Sequence, residues 1–340
     1  MKVLLVGGTG TISMSITRRL SRMRDVELTL LNRGGRSAEL PDNVSVISCD
    51  IGNEEAAKTA FDGLEFDCVA DFIVFSTEQL RRDIRLFSGK TKQYIFISSA
   101  SAYEKPPRSP HITEETPLKN PYWEYSRNKA ACEQILLEEY HKNGFPATIV
   151  RPSHTYDERS VPIGLHGNNG SWQVLKRMLD GKPVIIPGDG TSLWTCTASE
   201  DFAVGFCGLV GNTKAVGECF HITTDEQLSW NEIYLAVADA LSVKLLPVHI
   251  SSDTLSECGS FTDYRGSMIG DKSNSVIFDN SKIKAFVPEF ACKVSMREGI
   301  GRSAKYMQEH PEAQRADEQF DNWCDRLIAA REAFIKGFNS

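Results

Sequence analysis

The sequence predicts an α/β protein, a doubly wound parallel sheet with a smaller C-terminal α/β substrate lobe. Three observations predict it. The chain opens with a short apolar run, Lys2 to Val6, that ends at a glycine pair and gives way at once to helical spacing. Apolar strands then alternate with helices at the spacing of βαβ units. At 340 residues, with 41% hydrophobic and 24% charged residues, the chain can bury a full core.

Lys2 to Val6 reads as a strand covered on both faces. Ile12, Ile16, Leu20 and Met23 recur at helical spacing, so Gly7-x-x-Gly10-x-x-Ser13 links a strand to a helix N-terminus. The first N–H groups of a helix lack partners and sit at its positive end, so a pyrophosphate fits there. The spacing is neither G-x-G-x-x-G nor a phosphate loop ending in Gly-Lys, and a tight turn without ligand is the other reading.

Val26 to Leu31 is a second strand, followed by Asn32-Arg33-Gly34-Gly35-Arg36. In a dinucleotide fold an acid here accepts from the ribose hydroxyls of NAD. Arg33, with Arg36, instead suits the 2′-phosphate of NADP, unless both are solvated loop residues. Val44 to Ser48 is a third strand. Asp50, which follows, can accept from an adenine amino group or cap the helix near Asn53. Cys68 to Phe72, with Asp71 near its end, and Gln93 to Ile97 are the next strands, with a helix from Thr77 to Phe87 between them. Ligands of such sheets bind at the carboxyl ends of the strands, which brings Ser98, Ser99 and Ser101 toward the crevice.

After a proline-rich loop, a helix opens near Tyr122 and runs to about Lys142. Tyr125 and Lys129 share one face of it, a turn apart. Bringing a phenol from about 10 to near 7 takes on the order of 4 kcal/mol, which a close ammonium, a cationic nicotinamide and low dielectric can supply together.

The glycine turn, the serine cluster and Tyr-x-x-x-Lys, in this order and at these distances, resemble the extended short-chain dehydrogenase/reductase family of NAD-dependent epimerases and dehydratases. The resemblance implies a Rossmann fold and catalytic roles for Tyr125 as acid/base, Lys129 as ribose holder and pKa depressor, and Ser99 on the substrate oxygen. It implies cofactor contacts from Gly7, Thr9, Gly10, Thr11, Ile12, Arg33, Asp50, Ile51 and Ser98 besides Tyr125 and Lys129. Substrate contacts are expected from Ser101, His154, Tyr156 and Trp194, with no metal. The cofactor expected is NADP by Arg33, with NAD as the alternative.

Departures from the family pattern bear on the substrate. Ser13 takes the place of a third glycine. Arg151-Pro152-Ser153-His154-Thr155-Tyr156 carries His154 where the family commonly has asparagine. Trp194 stands where the family segment carries an arginine for a nucleotide diphosphate, which weakens the case for a nucleotide sugar. Ser99 is followed by Ala100-Ser101 rather than Asp-Glu, which disfavours 4,6-dehydration.

Residues 1–155 are assigned to the NAD(P)-binding domain, with 195–225 returning to it. Residues 156–194 and 226–312 form the substrate lobe, and 313–340 a C-terminal helix in which Phe320, Trp323, Leu327 and Phe334 pack back. Pro162 to Gly170 reads as a flexible loop over the site's mouth, Ser199 as a helix cap, and Ser229-x-x-Glu232 as a capping box. Arg18-Arg19 and Arg81-Arg82 read as solvated pairs.

The net charge of −7 argues against a nucleic-acid binder, and no apolar run approaches a membrane span. Nine scattered cysteines without a C-x-x-C pair suit a reducing, cytoplasmic setting. The expected activity is hydride transfer at a secondary alcohol or ketone of a sugar-like or nucleotide-sugar compound. The alternatives are a ketoreductase acting on a non-sugar carbonyl and a non-catalytic nucleotide-binding or RNA-associated scaffold. A small-molecule substrate is the expected partner, and the helix bearing Tyr125 could build a homodimer interface.

Overall fold

The computed structural model describes residues 1–33 and 40–339; Gly34, Gly35 and Arg36 lie outside them. Lys2–Val6 is β1, and its Val3 to Val6 are fully buried. On one side of it lie β2 (Glu27–Asn32) and β3 (Ser45–Ser48). On the other lie β4 (Cys68–Asp71), β5 (Tyr94–Ile97), β6 (Ala147–Pro152) and β7 (Cys219–Ile222). Every pairing in this seven-stranded sheet is parallel. Strand order reverses between β1 and β4, which opens a crevice at their carboxyl ends.

Side-chain alternation along the strands builds two cores. Val3 and Leu5 of β1 face α1 (Ser13–Leu20) and a later helix that carries Phe202 and Phe206. Leu4 and Val6 face the layer of α2 (Glu54–Ala60), α3 (Thr77–Phe87) and α4 (Glu124–Asn143), with Leu80, Phe87 and Cys132. Asn53 caps α2, accepting from the Ala56 amide, so Asp50 is not its cap. Ser76 and Gln79 form a capping box on α3. Gly144, in the left-handed region at φ 72°, ends α4.

A third core belongs to the lobe beyond β6. It contains α5 (Trp172–Leu179), α7 (Trp230–Ala240), Trp194 and Met268, while α6 (Ser199–Leu209) packs on α1. The Ser229 and Glu232 capping box opens α7. His111–Ile112, which the sequence groups with the first domain, pairs with Ile277–Phe278, and Ile112 lies in the lobe's core.

Four local expectations need correction. Ser199 is the first residue of α6 rather than its cap, and its hydroxyl meets that of Ser15 at 2.8 Å. Residues 162–170 do not hang over a mouth, because Ile163 and Leu165 anchor the segment in the lobe's core. Arg82 is buried on Asp83 instead of solvated. In the last helix, Glu318–Phe338, Phe320 and Trp323 pack inward, but Phe334 is 72% exposed because the helix's final turns leave the body. No helix among the described residues is long and apolar enough to cross a membrane.

Candidate active site

A cavity of about 660 Å³ lies at the carboxyl ends of β1 to β4. It gathers Gly7, Thr9, Gly10, Arg33, Asp50 and Ile51, six of the residues expected to hold the cofactor, together with Phe75, Gln79 and Arg82. Gly7 has φ +82°, and a Cβ there would meet the Ile73 side chain at 2.7 Å, so only glycine fits. A Cβ at Gly10 would meet only the Ser13 hydroxyl, at 3.4 Å, which leaves room for a ligand. Ser13 ties the turn together, accepting from the Gly10 amide at 2.8 Å and donating to the Gly7 carbonyl at 2.7 Å. Thr17 adds a bond to the Gly8 carbonyl at 2.8 Å. Ile12 gives α1 no side-chain cap, so the first turn's donors remain for an anion.

Thr11 and Ile12 lie at the turn-to-helix junction and are not part of the cavity wall. Ser98 is turned inward and donates to Glu133, which Arg151 holds at 2.6 Å, so its hydroxyl is committed to the interior. Asp50 accepts from the Gly52 amide at 2.9 Å, leaving its other oxygen at the cavity. Arg82 is held by Asp83, which also accepts from Tyr94 at 2.6 Å. Among the described residues Arg33 has no carboxylate partner.

A second cavity, of about 270 Å³, is lined by Ser99, Ser101, Tyr125, His154 and Trp194. Sequence reasoning placed these five at the site. It missed Lys105, Trp123, Asp271 and Lys272, which line the same cavity. Tyr156 is not there. It is buried in the lobe, its hydroxyl against Gly299 of the helix Met296–Glu309. Strand alternation gives Tyr156 the same face as His154, but its ring lies farther along, packed in the lobe's core.

Neighbouring rings of Tyr125 and Phe75 stand between the two cavities. Tyr125 lines the smaller, Phe75 the larger, and their ring centroids are 6.4 Å apart. The Ser99 hydroxyl lies beside the phenol on the same cavity wall and acts to lower its pKa. The Ser99 hydroxyl meets that of Ser101 at 2.9 Å, and Ser101 meets Ser126 at 2.7 Å, so three hydroxyls stand behind the phenol.

Lys129 is buried one turn along α4. Its Nζ donates to the carbonyls of Val74 and Ile97, each at 2.6 Å, and lies 5.7 Å from the Tyr125 ring centre. Burial pulls its pKa down to about 8. Burial pushes Tyr125 up, the charge of Asp271 adds to that, and Ser99 acts against it, while the expected depression also counts on the charge of a bound nicotinamide. Lys129 is occupied by carbonyls and does not lower the phenol. Burial and the charge of Lys272 bring His154 down to about 3, so its imidazole is neutral. Burial raises Asp271 and lowers Lys105 and Lys272.

Residues 3–222 match the profile of the NAD dependent epimerase/dehydratase family. The 2′-dehydrokanamycin reductase of Streptomyces kanamyceticus is 24% identical over 257 residues, covering 76% of this chain and 71% of that protein. The chloroplast stem-loop binding protein of 41 kDa b of Arabidopsis thaliana is 26% identical over 253 residues, 70% of this chain and 63% of that one. In fold, the chain is similar to the UDP-glucose 4-epimerase of Thermus thermophilus in complex with NAD, with a TM-score of 0.71 and 19% identity. That match covers 91% of this chain and 99% of the other. The site geometry and the family match lead to one conclusion: the chain belongs to the NAD dependent epimerase/dehydratase family of enzymes.

Proposed function

We propose that the chain is an NADP-linked oxidoreductase acting at a secondary alcohol or ketone of a small sugar-like compound. The observation that carries this reading is the phenol of Tyr125, beside Ser99 on the wall of the smaller cavity and next to Phe75 of the larger. The open space at Gly10, the uncapped start of α1 and the exposed Arg33 fit a dinucleotide with a 2′-phosphate. When bound, the nicotinamide supplies the hydride chemistry.

The chain's own residues supply the proton and the alignment. The phenol suits the role of acid toward a carbonyl oxygen, and its burial acts in that direction by raising its pKa. Ser99 donates to the same oxygen as charge builds on it. The hydroxyls of Ser101 and Ser126 hold Ser99 in register. Lys129, fixed by two carbonyls, keeps α4 against the end of β5 and presents an ammonium beside the ribose site. A site for a 2′-phosphate favours reduction over epimerisation.

The smaller cavity suits one sugar ring better than a nucleotide sugar, since drug-sized ligands occupy roughly 300 to 1,000 Å³. Trp194, in place of an arginine, points the same way. A second reading, RNA-associated binding, draws on the stem-loop binding relative; the net charge of −7 weighs against it. Turnover of a panel of keto sugars with NADPH tests the proposal. Stoichiometric NADPH consumption supports a reductase, and substrate interconversion without consumption indicates an epimerase. Retention on RNA at 150 mM salt with no turnover of any carbonyl would reverse the reading.

A further inference from the structure

The smaller cavity holds more buried positive charge than its own residues neutralise. Lys105 Nζ lies 3.8 Å from Asp271 Oδ1, with the lysine side chain 1% exposed. Lys272, beside Asp271 in sequence, is 9% exposed and lines the same cavity. Among the described residues no carboxylate lies within ion-pair distance of its ammonium. Its backbone is fixed, because its carbonyl accepts from the Trp230 indole at 2.9 Å. Trp194, also on the cavity wall, has a buried indole N–H with no acceptor. The neutral His154 adds no charge.

Two ammonium groups therefore face one carboxylate. A buried ammonium without a counter-charge is costly, and an orphaned indole donor adds to that cost. A ligand that brings one negative charge offsets the surplus ammonium. A dianion fits less well, since Asp271 faces the same space. A cationic ligand meets the surplus lysine directly.

We propose that Lys272, flanked by the Lys105–Asp271 pair, binds the carboxylate of a monosaccharide-sized substrate. This rests on the proposed oxidoreductase reading and narrows its substrate class to sugar acids. A polycationic aminosugar is thereby disfavoured, although one relative is named for a kanamycin derivative.

The test is binding of D-glucuronate, D-glucose, D-glucosamine and glucose 6-phosphate to the full chain with saturating NADP⁺, followed by quenching of tryptophan fluorescence. D-glucuronate is expected to bind tightest, with D-glucose and D-glucosamine weaker by roughly ten-fold or more. Lys272→Met is expected to weaken glucuronate roughly ten-fold or more, with NADP⁺ affinity unchanged as evidence of an intact fold. Lys272→Arg should retain a substantial part of the binding. Equal binding of glucuronate by Lys272→Met, no binding of glucuronate, or preference for glucosamine would overturn the proposal. Preference for glucose 6-phosphate would overturn the carboxylate assignment. The titrations are repeated without cofactor, so a chain that ignores NADP⁺ yet holds glucuronate through Lys272 refutes the oxidoreductase reading and keeps the anion site.

Discussion

Ser13 and Gly7 are joined by a 2.7 Å hydrogen bond across the cofactor turn, and the same hydroxyl accepts the Gly10 amide. A serine in the place of a glycine has thus become the turn's internal tie. Ser13→Ala leaves a donor and an acceptor of a nearly enclosed turn unpaired, at a cost of about 1 to 3 kcal/mol. Melting temperature and NADPH affinity should both fall. Unchanged values in calorimetry would show that the turn does not depend on this tie.

Among the described residues that line the larger cavity, Arg33 is the cation without a carboxylate partner, since Arg82 is held by Asp83, and the proposed NADP preference rests on it. Arg33→Ala should weaken NADPH by roughly ten-fold or more and leave NADH nearly unchanged. Titration of both cofactors checks this. A wild-type preference for NADH would contradict the role given to Arg33.

Lys129 holds its proton only below about 8, so its ammonium gives way to an amine as pH rises past that value. If the charged form is the working one, kcat/KM should decline on the alkaline side with a midpoint near 8. A profile that stays level past 8 and declines only at or above the ordinary phenol range would assign the alkaline limb to the phenol instead.

His154 titrates near 3, far below the ordinary imidazole value, so it remains neutral throughout the working range. His154→Asn should alter substrate affinity while leaving the shape of the pH profile between roughly 5 and 8 unchanged. Loss of an acidic limb near neutrality in that variant would show that the imidazole carries a proton in turnover.

Much of the fold was legible because it rests on short-range patterns. The buried run of β1, the spacing of α3 and the Ser229–Glu232 box follow from periodicity and capping chemistry within a few residues. The helical pitch alone put Tyr125 and Lys129 on one face of α4. Contacts across long separations were less legible. Lys105 and Asp271 are brought together by the lobe, and the glycine- and serine-rich stretch around Asp271 carries no periodic signal. Tyr156 went astray because the motif's tyrosine is used for packing under Gly299. The direction of the Tyr125 shift was also hidden, since burial and the carbonyls that occupy Lys129 depend on the assembled site.

The most direct measurement is turnover by Tyr125→Phe, which keeps the ring against Phe75 and Trp123 but removes the acidic hydroxyl. With NADPH affinity as in the wild type, kcat should fall by roughly 10² to 10⁴. Undiminished turnover by a folded, cofactor-binding variant would contradict the chemistry assigned to this site.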